Sequence, residues 1–391
     1  MMRKESKRVL IVATVVKTHI MQFHIPTLKL FKDMGWETAV AARNDYQNPA
    51  DCQIPYCDQF YDIPFERTPF HPNNVGCYKK LKDIMDRGNY QIIHCHTPVG
   101  GVLGRLAAGK TRKEGTRVLY TAHGFHFFRG APLKNWLLYY PVEKICSFFM
   151  DDLITINRED HLFAKRHFPS AEIHYLPGVG IDTQAFSPSV MTTEERSSVK
   201  AALGVQPGQK MILSVGEIIA RKNYKTAIDA IARLKNTQIR YFICGQGLLR
   251  AEMEEYARNQ GVGDSVAFLG YRKDIPRLCS CADIFLHTSF QEGLPVAVME
   301  AMACGTAVVA SRIRGNVDLI EDGVNGFLCD PNDAVEFADR IRKILDRPGL
   351  AEELRSNSLQ KIKDFDISIV TGQLQHIYCG AGTPDTNELG D

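Results

Sequence analysis

The chain has 391 residues, 45% of them hydrophobic and 24% charged, with a formal net charge of +2. This length exceeds what one hydrophobic core serves, so two domains are expected, and the composition excludes a disordered, collagen-like or membrane-embedded chain. No apolar run approaches the roughly 18 residues of a spanning helix. The opening MMRKESKRVLIVATVVKTHI has a basic head but only a short apolar run with no cleavage site, and reads as a first strand of a cytoplasmic protein.

Short β-branched runs alternate with helical patterns from the start: RVLIVATVV, an amphipathic stretch to Met34 stopped by Gly35, ETAVAA, and later YQIIHCH, TRVLYTA and DDLITI. This βαβα order predicts a largely parallel sheet covered on both faces. The pattern breaks over 183–209, where Pro, Ser and Thr accumulate. The predicted organisation is therefore a first domain over 1–185, a linker over 186–209 and a second domain over 210–380 whose last helix crosses back to the first. The alternation restarts with KMILSVG and continues through IRYFICG, VAFLG, ADIFLHT, a helix over VAVMEAMA, and TAVVAS. Both halves read as Rossmann-like α/β/α domains, each presenting loops at the carboxyl ends of parallel strands, with a cleft expected between them. Residues 381–391 read as a disordered tail.

The 11 cysteines are odd in number and lack zinc-ribbon or redox spacing, so they read as buried free thiols of a reducing compartment. Residues 1–185 carry a net +6 and the remainder −4, a bias suited to an anionic membrane surface, a phosphate-bearing acceptor or simply a solvated face.

Two motifs invite misreading. GRLAAGKT, Gly104 to Thr111, fits a phosphate-binding loop letter for letter, but Val102, Leu103, Leu106 and Ala107 have helical spacing and no strand precedes the first glycine. His94 and His96 end one strand and His123 and His126 follow the next, yet no acidic partner has ligand spacing, so they are expected to make hydrogen bonds, with no metal bound.

The strongest chemical signal is EGLPVAVMEAMACG, Glu292 to Gly305, after the strand ADIFLHTS. Pro295 suits the first turn of a helix, placing the Gly293 and Leu294 amides at the positive end of its dipole, where an anion such as a diphosphate binds. Glu292 precedes the helix and Glu300 lies about two turns into it, so both carboxylates can line one ligand, the first at a sugar and the second at ribose hydroxyls.

These residues, followed by GNVDLIEDGVNGFL, resemble the retaining glycosyltransferases of family GT4, with the GT-B fold, over most of the chain. The amino-terminal motifs IIHCHTPVGGVLGRLAA and YTAHGFHFFRGAP are similar to those of bacterial exopolysaccharide and capsule glycosyltransferases. The resemblance implies a nucleotide-diphosphate sugar donor, with UDP favoured, a saccharide or polyprenyl-linked acceptor, no metal or other cofactor, and no nucleic-acid partner. It assigns Lys222 to the donor diphosphate, His123 to the sugar and Glu292 to catalysis. Gly216, Arg221, Cys244, Gly245 and Arg272 join the donor site, with Glu217 standing where the family usually has Arg and Arg221 as its replacement. His19, Gln22, His24, His96 and Thr97 are expected at the acceptor. The aromatic segment from Phe125 to Tyr140 is either a contact for a lipid acceptor or the inner membrane, or a partly buried helix. A nucleotide-sugar 2-epimerase and a non-catalytic partner protein share this fold, and a nicotinamide dehydrogenase is the remaining Rossmann alternative, although neither domain opens with GxGxxG.

Overall fold

A computed structural model of the chain describes residues 6–68 and 71–380, so the expected tail over 381–391 lies outside the described residues. The first sheet contains β1 (Arg8–Val15), β2 (Glu37–Arg43), β3 (Gln59–Asp62), β4 (Ile92–His96), β5 (Arg117–Ala122), β6 (Asp152–Thr155) and β7 (Glu172–Tyr175), in the order β3-β2-β1-β4-β5-β6-β7. The second contains β8 (Lys210–Val215), β9 (Ile239–Cys244), β10 (Val266–Gly270), β11 (Ile284–His287), β12 (Ala307–Ser311) and β13 (Phe327–Cys329), in the order β10-β9-β8-β11-β12-β13. The pairings are parallel throughout.

Alternation along β1 explains why the run is apolar without interruption. Leu10 and Val12 enter the core on one face of the first sheet, while Val9, Ile11 and Ala13 enter the core on the other. In the second sheet the helix Tyr224–Leu234 buries Ala227, Ile228, Ala230 and Ile231 at helical spacing against Ile212, Ile243 and Leu286.

The chain divides into two compact units, one running up to Val179 and resuming at Val370, the other spanning Gly180–Ile369. The crossover thus falls before the boundary expected at 185, and the supposed linker contains the helix Thr193–Ala202. Its Ser/Thr/Glu-rich composition is a helix start: Glu195 N donates to Thr192 Oγ1 at 3.2 Å and Thr192 N donates to Glu195 Oε2 at 2.8 Å, a reciprocal cap. The helix Ile367–Cys379 returns the chain to the first unit, where Val370, Leu374, Ile377 and Tyr378 close the core beneath β1.

The GRLAAGKT segment is helical: Gly104 lies inside Pro98–Ala107, and a Cβ there would stand 2.5 Å from Cys95 Sγ, so this glycine serves helix-to-sheet packing. Helical structure continues over Gly109–Lys113.

The Phe125–Tyr140 segment is partly buried. Phe125 and Phe127 are buried, and Trp136, Tyr139 and Tyr140 pack on the same core. The apolar surface of the helix Leu133–Cys146 is carried instead by Leu133 and Leu137, 73% and 71% exposed, with Leu138 and Ile145 also exposed. Among the described residues no helix is long and apolar enough to cross a membrane.

Candidate active site

In both sheets the strand order reverses direction between the first strand of the unit and a later neighbour, β1 beside β4 and β8 beside β11. Loops leaving such strands diverge to opposite faces of the sheet, and the crevice they open at the carboxyl ends is where α/β folds bind ligands. The residues singled out from sequence gather at these two points, one in each unit.

In the second unit the turn after β8 is stapled to the turn after β11. Asn223, in left-handed conformation (φ 53°), donates through Nδ2 to Thr288 O at 3.0 Å, and Thr288 Oγ1 donates back to Asn223 O at 2.9 Å. Phe290 N donates to Arg221 O at 2.9 Å. These bonds bring Lys222 and Arg221 onto the carboxylate of Glu292: Lys222 Nζ lies 2.7 Å from Oε1 and Arg221 Nη1 lies 2.9 Å from Oε2. His287 Nε2 stands 3.4 Å from Oε1 without the alignment of a hydrogen bond. Burial alone would raise the Glu292 carboxyl, but Lys222, His287 and Arg221 override it and hold the group well below its ordinary range. Arg221 thus brings a second cation to the carboxylate, while Glu217 is exposed.

Glycines let the backbones around this group close up. Gly216 N donates to Cys244 O at 2.9 Å, and a Cβ on Gly245 would stand 1.9 Å from Gly216 O. Gly315, with φ +83°, packs so closely on the Glu292 turn that a Cβ would lie 2.3 Å from Gly293 O. Arg314 Nε donates to Glu292 O at 3.1 Å from the same side.

Three donor-site expectations are modified. Pro295 is the residue preceding the helix Val296–Ala303, so the amides of Val296 and Ala297 stand at its positive end, with Gly293 and Leu294 in the turn before. Cys244 is 2% exposed, its thiol turned inward, and only its backbone reaches this turn. Arg272 forks onto Asp274, with contacts of 2.8 and 2.5 Å, because the two side chains lie two residues apart at one strand end. Glu300, on the helix, is in a poorly solvated position, and burial pushes its carboxyl up to about 7.

In the first unit the loop after β1 is a nine-residue π-helix, Val16–His24. Its i→i+5 bonding widens the turn, so His19 and His24 share a side, whereas α geometry would set them about 140° apart. His24 Nε2 lies 3.1 Å from His19 Nε2, and His96 Nδ1 lies 3.3 Å from His123 Nε2. The His24 and His96 rings stack with centroids 3.9 Å apart. Burial holds all four imidazoles below their usual range, His123 at about 4. His24 and His96 are buried while His19 and His123 are half-buried, so the latter two are the better placed to meet a ligand.

Of the four histidines at the strand ends, His96 and His123 join this group, and His94 makes the hydrogen bonds expected of it. His94 is committed to Tyr378 Oη at 2.7 Å and Thr121 Oγ1 at 2.8 Å, and His126 lies against the Tyr139 ring. Thr97, expected at the acceptor, holds a strained backbone (φ 64°), and its hydroxyl bonds Thr14 Oγ1 at 2.6 Å and accepts from Thr14 N at 3.1 Å, joining β1 to β4. Gln22 is exposed on the π-helix. Sequence reasoning missed His287, Asn223 and Thr288, which lie in plain strand-end and turn patterns with no signal of their own.

A family model described as Glycosyl transferases group 1 matches residues 195–361, and one described as Glycosyl transferase 4-like matches residues 8–157. EpsD of Bacillus subtilis (strain 168), named as a glycosyltransferase, is 39% identical over 386 residues, covering 98% of this chain and 99% of EpsD. The chain belongs to the group 1 (GT4) glycosyltransferases. This nucleotide-sugar glycosyltransferase is also 28% identical over 280 residues, 70% of each chain, to the UDP-Gal:alpha-D-GlcNAc-diphosphoundecaprenol alpha-1,3-galactosyltransferase of Escherichia coli. Its fold is GT-B: the structure of Anabaena Alr3699/HepE in complex with UDP and glucose superposes with a TM-score of 0.80 at 20% identity, over 96% of this chain and 100% of that one. In such an enzyme, two cations on a carboxylate at the second switch point are suited to a departing diphosphate, whose growing negative charge is the main electrostatic demand of glycosyl transfer.

Proposed function

We propose that this glycosyltransferase moves a hexosyl or N-acetylhexosaminyl group from a UDP-sugar to a polyprenyl-linked saccharide, with retention and without a metal, in the synthesis of exopolysaccharide, capsule or another cell-surface glycan. The observation that carries this reading is the pairing of Lys222 and Arg221 with Glu292. On donor binding the two cations turn to the diphosphate, and Glu292, held anionic, accepts hydrogen bonds from the sugar. Glu300 receives the ribose hydroxyls, and Gly216 and Gly245 let the chain approach the nucleotide. His123, neutral at working pH, positions the sugar. The anomeric carbon's bond to the diphosphate oxygen breaks as its bond to the acceptor oxygen forms on the same face, and the departing phosphate takes the acceptor's proton.

The acceptor class is supported by the Escherichia coli relative, whose name specifies a diphosphoundecaprenol-linked GlcNAc, and the donor class by that relative and by the UDP in the HepE complex. Leu133, Leu137, Leu138 and Ile145, beside the exposed Lys134, supply a face for peripheral contact with the cytoplasmic side of the membrane. The test is transfer from UDP-glucose, UDP-galactose and UDP-GlcNAc to undecaprenyl-diphosphate saccharides in chelator-treated buffer. UDP release that requires both substrates supports the reading. Epimerised sugar with no acceptor requirement, or transfer that depends on added metal, overturns it.

A further inference from the structure

His287, the last residue of β11, faces the Glu292 carboxylate without bonding to it. Its backbone is fixed in the sheet, paired with Ala310 of β12, and its carbonyl accepts from Ser311 Oγ at 3.4 Å. Its ring lies nearly parallel to that of Phe285, with 17° between the planes. Nε2 stands 3.4 Å from Glu292 Oε1 and has no hydrogen-bond partner among the described residues, although the side chain is only 4% exposed. A buried polar atom left unbonded is costly and rare. The oxygen it faces is already taken: Lys222 Nζ holds Oε1 at 2.7 Å, and Arg221 Nη1 holds Oε2 at 2.9 Å. Burial holds the imidazole below its ordinary range, with Lys222 and Arg221 acting in the same direction and Glu292 against it. The ring is therefore neutral at pH 7 and, with its proton on Nε2, can donate to the carboxylate without adding a third cation.

In the proposed function both cations turn to the diphosphate when the donor binds. That exchange strips a carboxylate only 9% exposed of both its partners, and such a group either finds another donor or takes up a proton. We infer that His287 is a positioning residue that takes over Oε1 of Glu292 as Lys222 leaves it, keeping the carboxylate anionic and directed at the sugar. The inference rests on the assignment of Lys222 to the donor diphosphate. The movement required is small, since about 0.5–0.7 Å separates the present contact from a charge-assisted bond of about 2.7–2.9 Å. Rotation of the Glu292 side chain supplies it, while Arg314 Nε, which donates to Glu292 O at 3.1 Å, keeps the backbone in place. The idle Nε2 of the unliganded protein is then the donor that the liganded protein uses.

A double-mutant cycle on the full-length protein without ligand tests this exchange. With Lys222 in place Nε2 is idle, so His287→Leu should leave Tm within about 1 °C of wild type. In the Lys222→Ala background His287 should already hold Glu292, so the same substitution should lower Tm by about 3 °C or more. His287→Gln, which keeps an N–H near the position of Nε2, should lower it far less. Isothermal titration with UDP supplies the second readout: affinity should fall about tenfold or more in His287→Leu and stay within about threefold of wild type in His287→Gln. Should His287→Leu fold poorly, His287→Phe, which keeps a ring beside Phe285 but no donor, takes its place. An equal loss of Tm in both backgrounds gives His287 a structural role only and overturns the inference, as does wild-type UDP affinity in a folded His287→Leu. UDP affinity that Lys222→Ala leaves intact faults the donor assignment instead, an outcome that the ligand-free cycle tells apart.

Discussion

Lys222 Nζ lies 2.7 Å from Oε1 of Glu292, across 70 residues of sequence and on two turns that Asn223 and Thr288 tie together. The pair is mostly buried, with side chains 14% and 9% exposed, and Arg221 completes it on the other carboxylate oxygen. A buried carboxylate with two cations is anionic at rest, and in the proposed function a donor diphosphate exchanges with it.

Replacing Lys222 with Ala removes one cation and leaves Glu292 buried beside Arg221 alone. Turnover is expected to fall by about 10²–10³, the usual cost of losing one group that stabilises transition-state charge. Breaking a buried pair costs about 3–5 kcal/mol when no partner remains, and the remaining Arg221 should keep the loss below that range. The sign with pH follows from the depressed Glu292 carboxyl: its stabilising contribution is present above the unfolded value and is lost as pH falls through the folded one. Acid unfolding of Lys222→Ala should therefore begin at higher pH than in the wild type, measured by circular dichroism.

Glu300 has the opposite sign. Its carboxyl, raised to about 7 by burial, contributes stability that is complete below the unfolded value and lost as pH rises through 7. Glu300→Gln should then stabilise the unliganded protein at pH 8 by about 1–3 kcal/mol, seen as a higher Tm, while weakening nucleotide binding. UDP affinity of the wild type should climb with pH towards 7 and level off above it, as the carboxylate proposed to accept ribose hydroxyls becomes fully ionised. A Tm for Glu300→Gln equal to or below the wild type at pH 8 contradicts the account.

Gly315 separates a steric requirement from a chemical one. A Cβ there meets the carbonyl of Gly293, which is backbone and cannot swing away, and φ of +83° adds strain. Gly315→Ala should push the Glu292 turn aside, costing about 1 kcal/mol or more of stability and weakening UDP binding although no donor-binding side chain has changed. Isothermal titration with UDP checks it.

The exposed leucines and the buried phenylalanine of the aromatic segment should behave in opposite ways. Leu133→Ser with Leu137→Ser should leave Tm within about 0.5 kcal/mol of wild type and reduce co-sedimentation with vesicles containing anionic phospholipid. Phe127→Ala should cost about 3–5 kcal/mol of stability, since its ring is 2% exposed. Unchanged vesicle binding in the leucine variant removes that helix as a membrane face.

The α/β alternation was legible because parallel strands buried on both faces read as unbroken apolar runs, as in RVLIVATV. Glu292 and Glu300 were legible because a helix start has local chemistry that spacing reveals, whereas Lys222 was singled out only through the family resemblance. The helix Thr193–Ala202 was read as a linker because its cap residues are also turn residues, and only the Thr192–Glu195 pairing separates the two. The meeting of His19 with His24 was not legible at all. Five-residue spacing places side chains apart on an α-helix, and nothing in VKTHIMQFH announces a π-helix that buries Val16, Ile20 and His24. Leu133 and Leu137 were likewise hidden, because an apolar residue on a helix does not say which face its neighbours will cover.

The most direct measurement is the shift in Tm produced by UDP, GDP, ADP, NAD and ATP on wild type and on Lys222→Ala. A ligand at about 100 times its Kd adds about 2.7 kcal/mol to the unit that binds it, a shift of several degrees. A shift with UDP that exceeds the others and disappears in Lys222→Ala is the predicted result. A shift confined to NAD or ATP, or a UDP shift that Lys222→Ala retains in full, contradicts the assignment of this turn to the donor diphosphate.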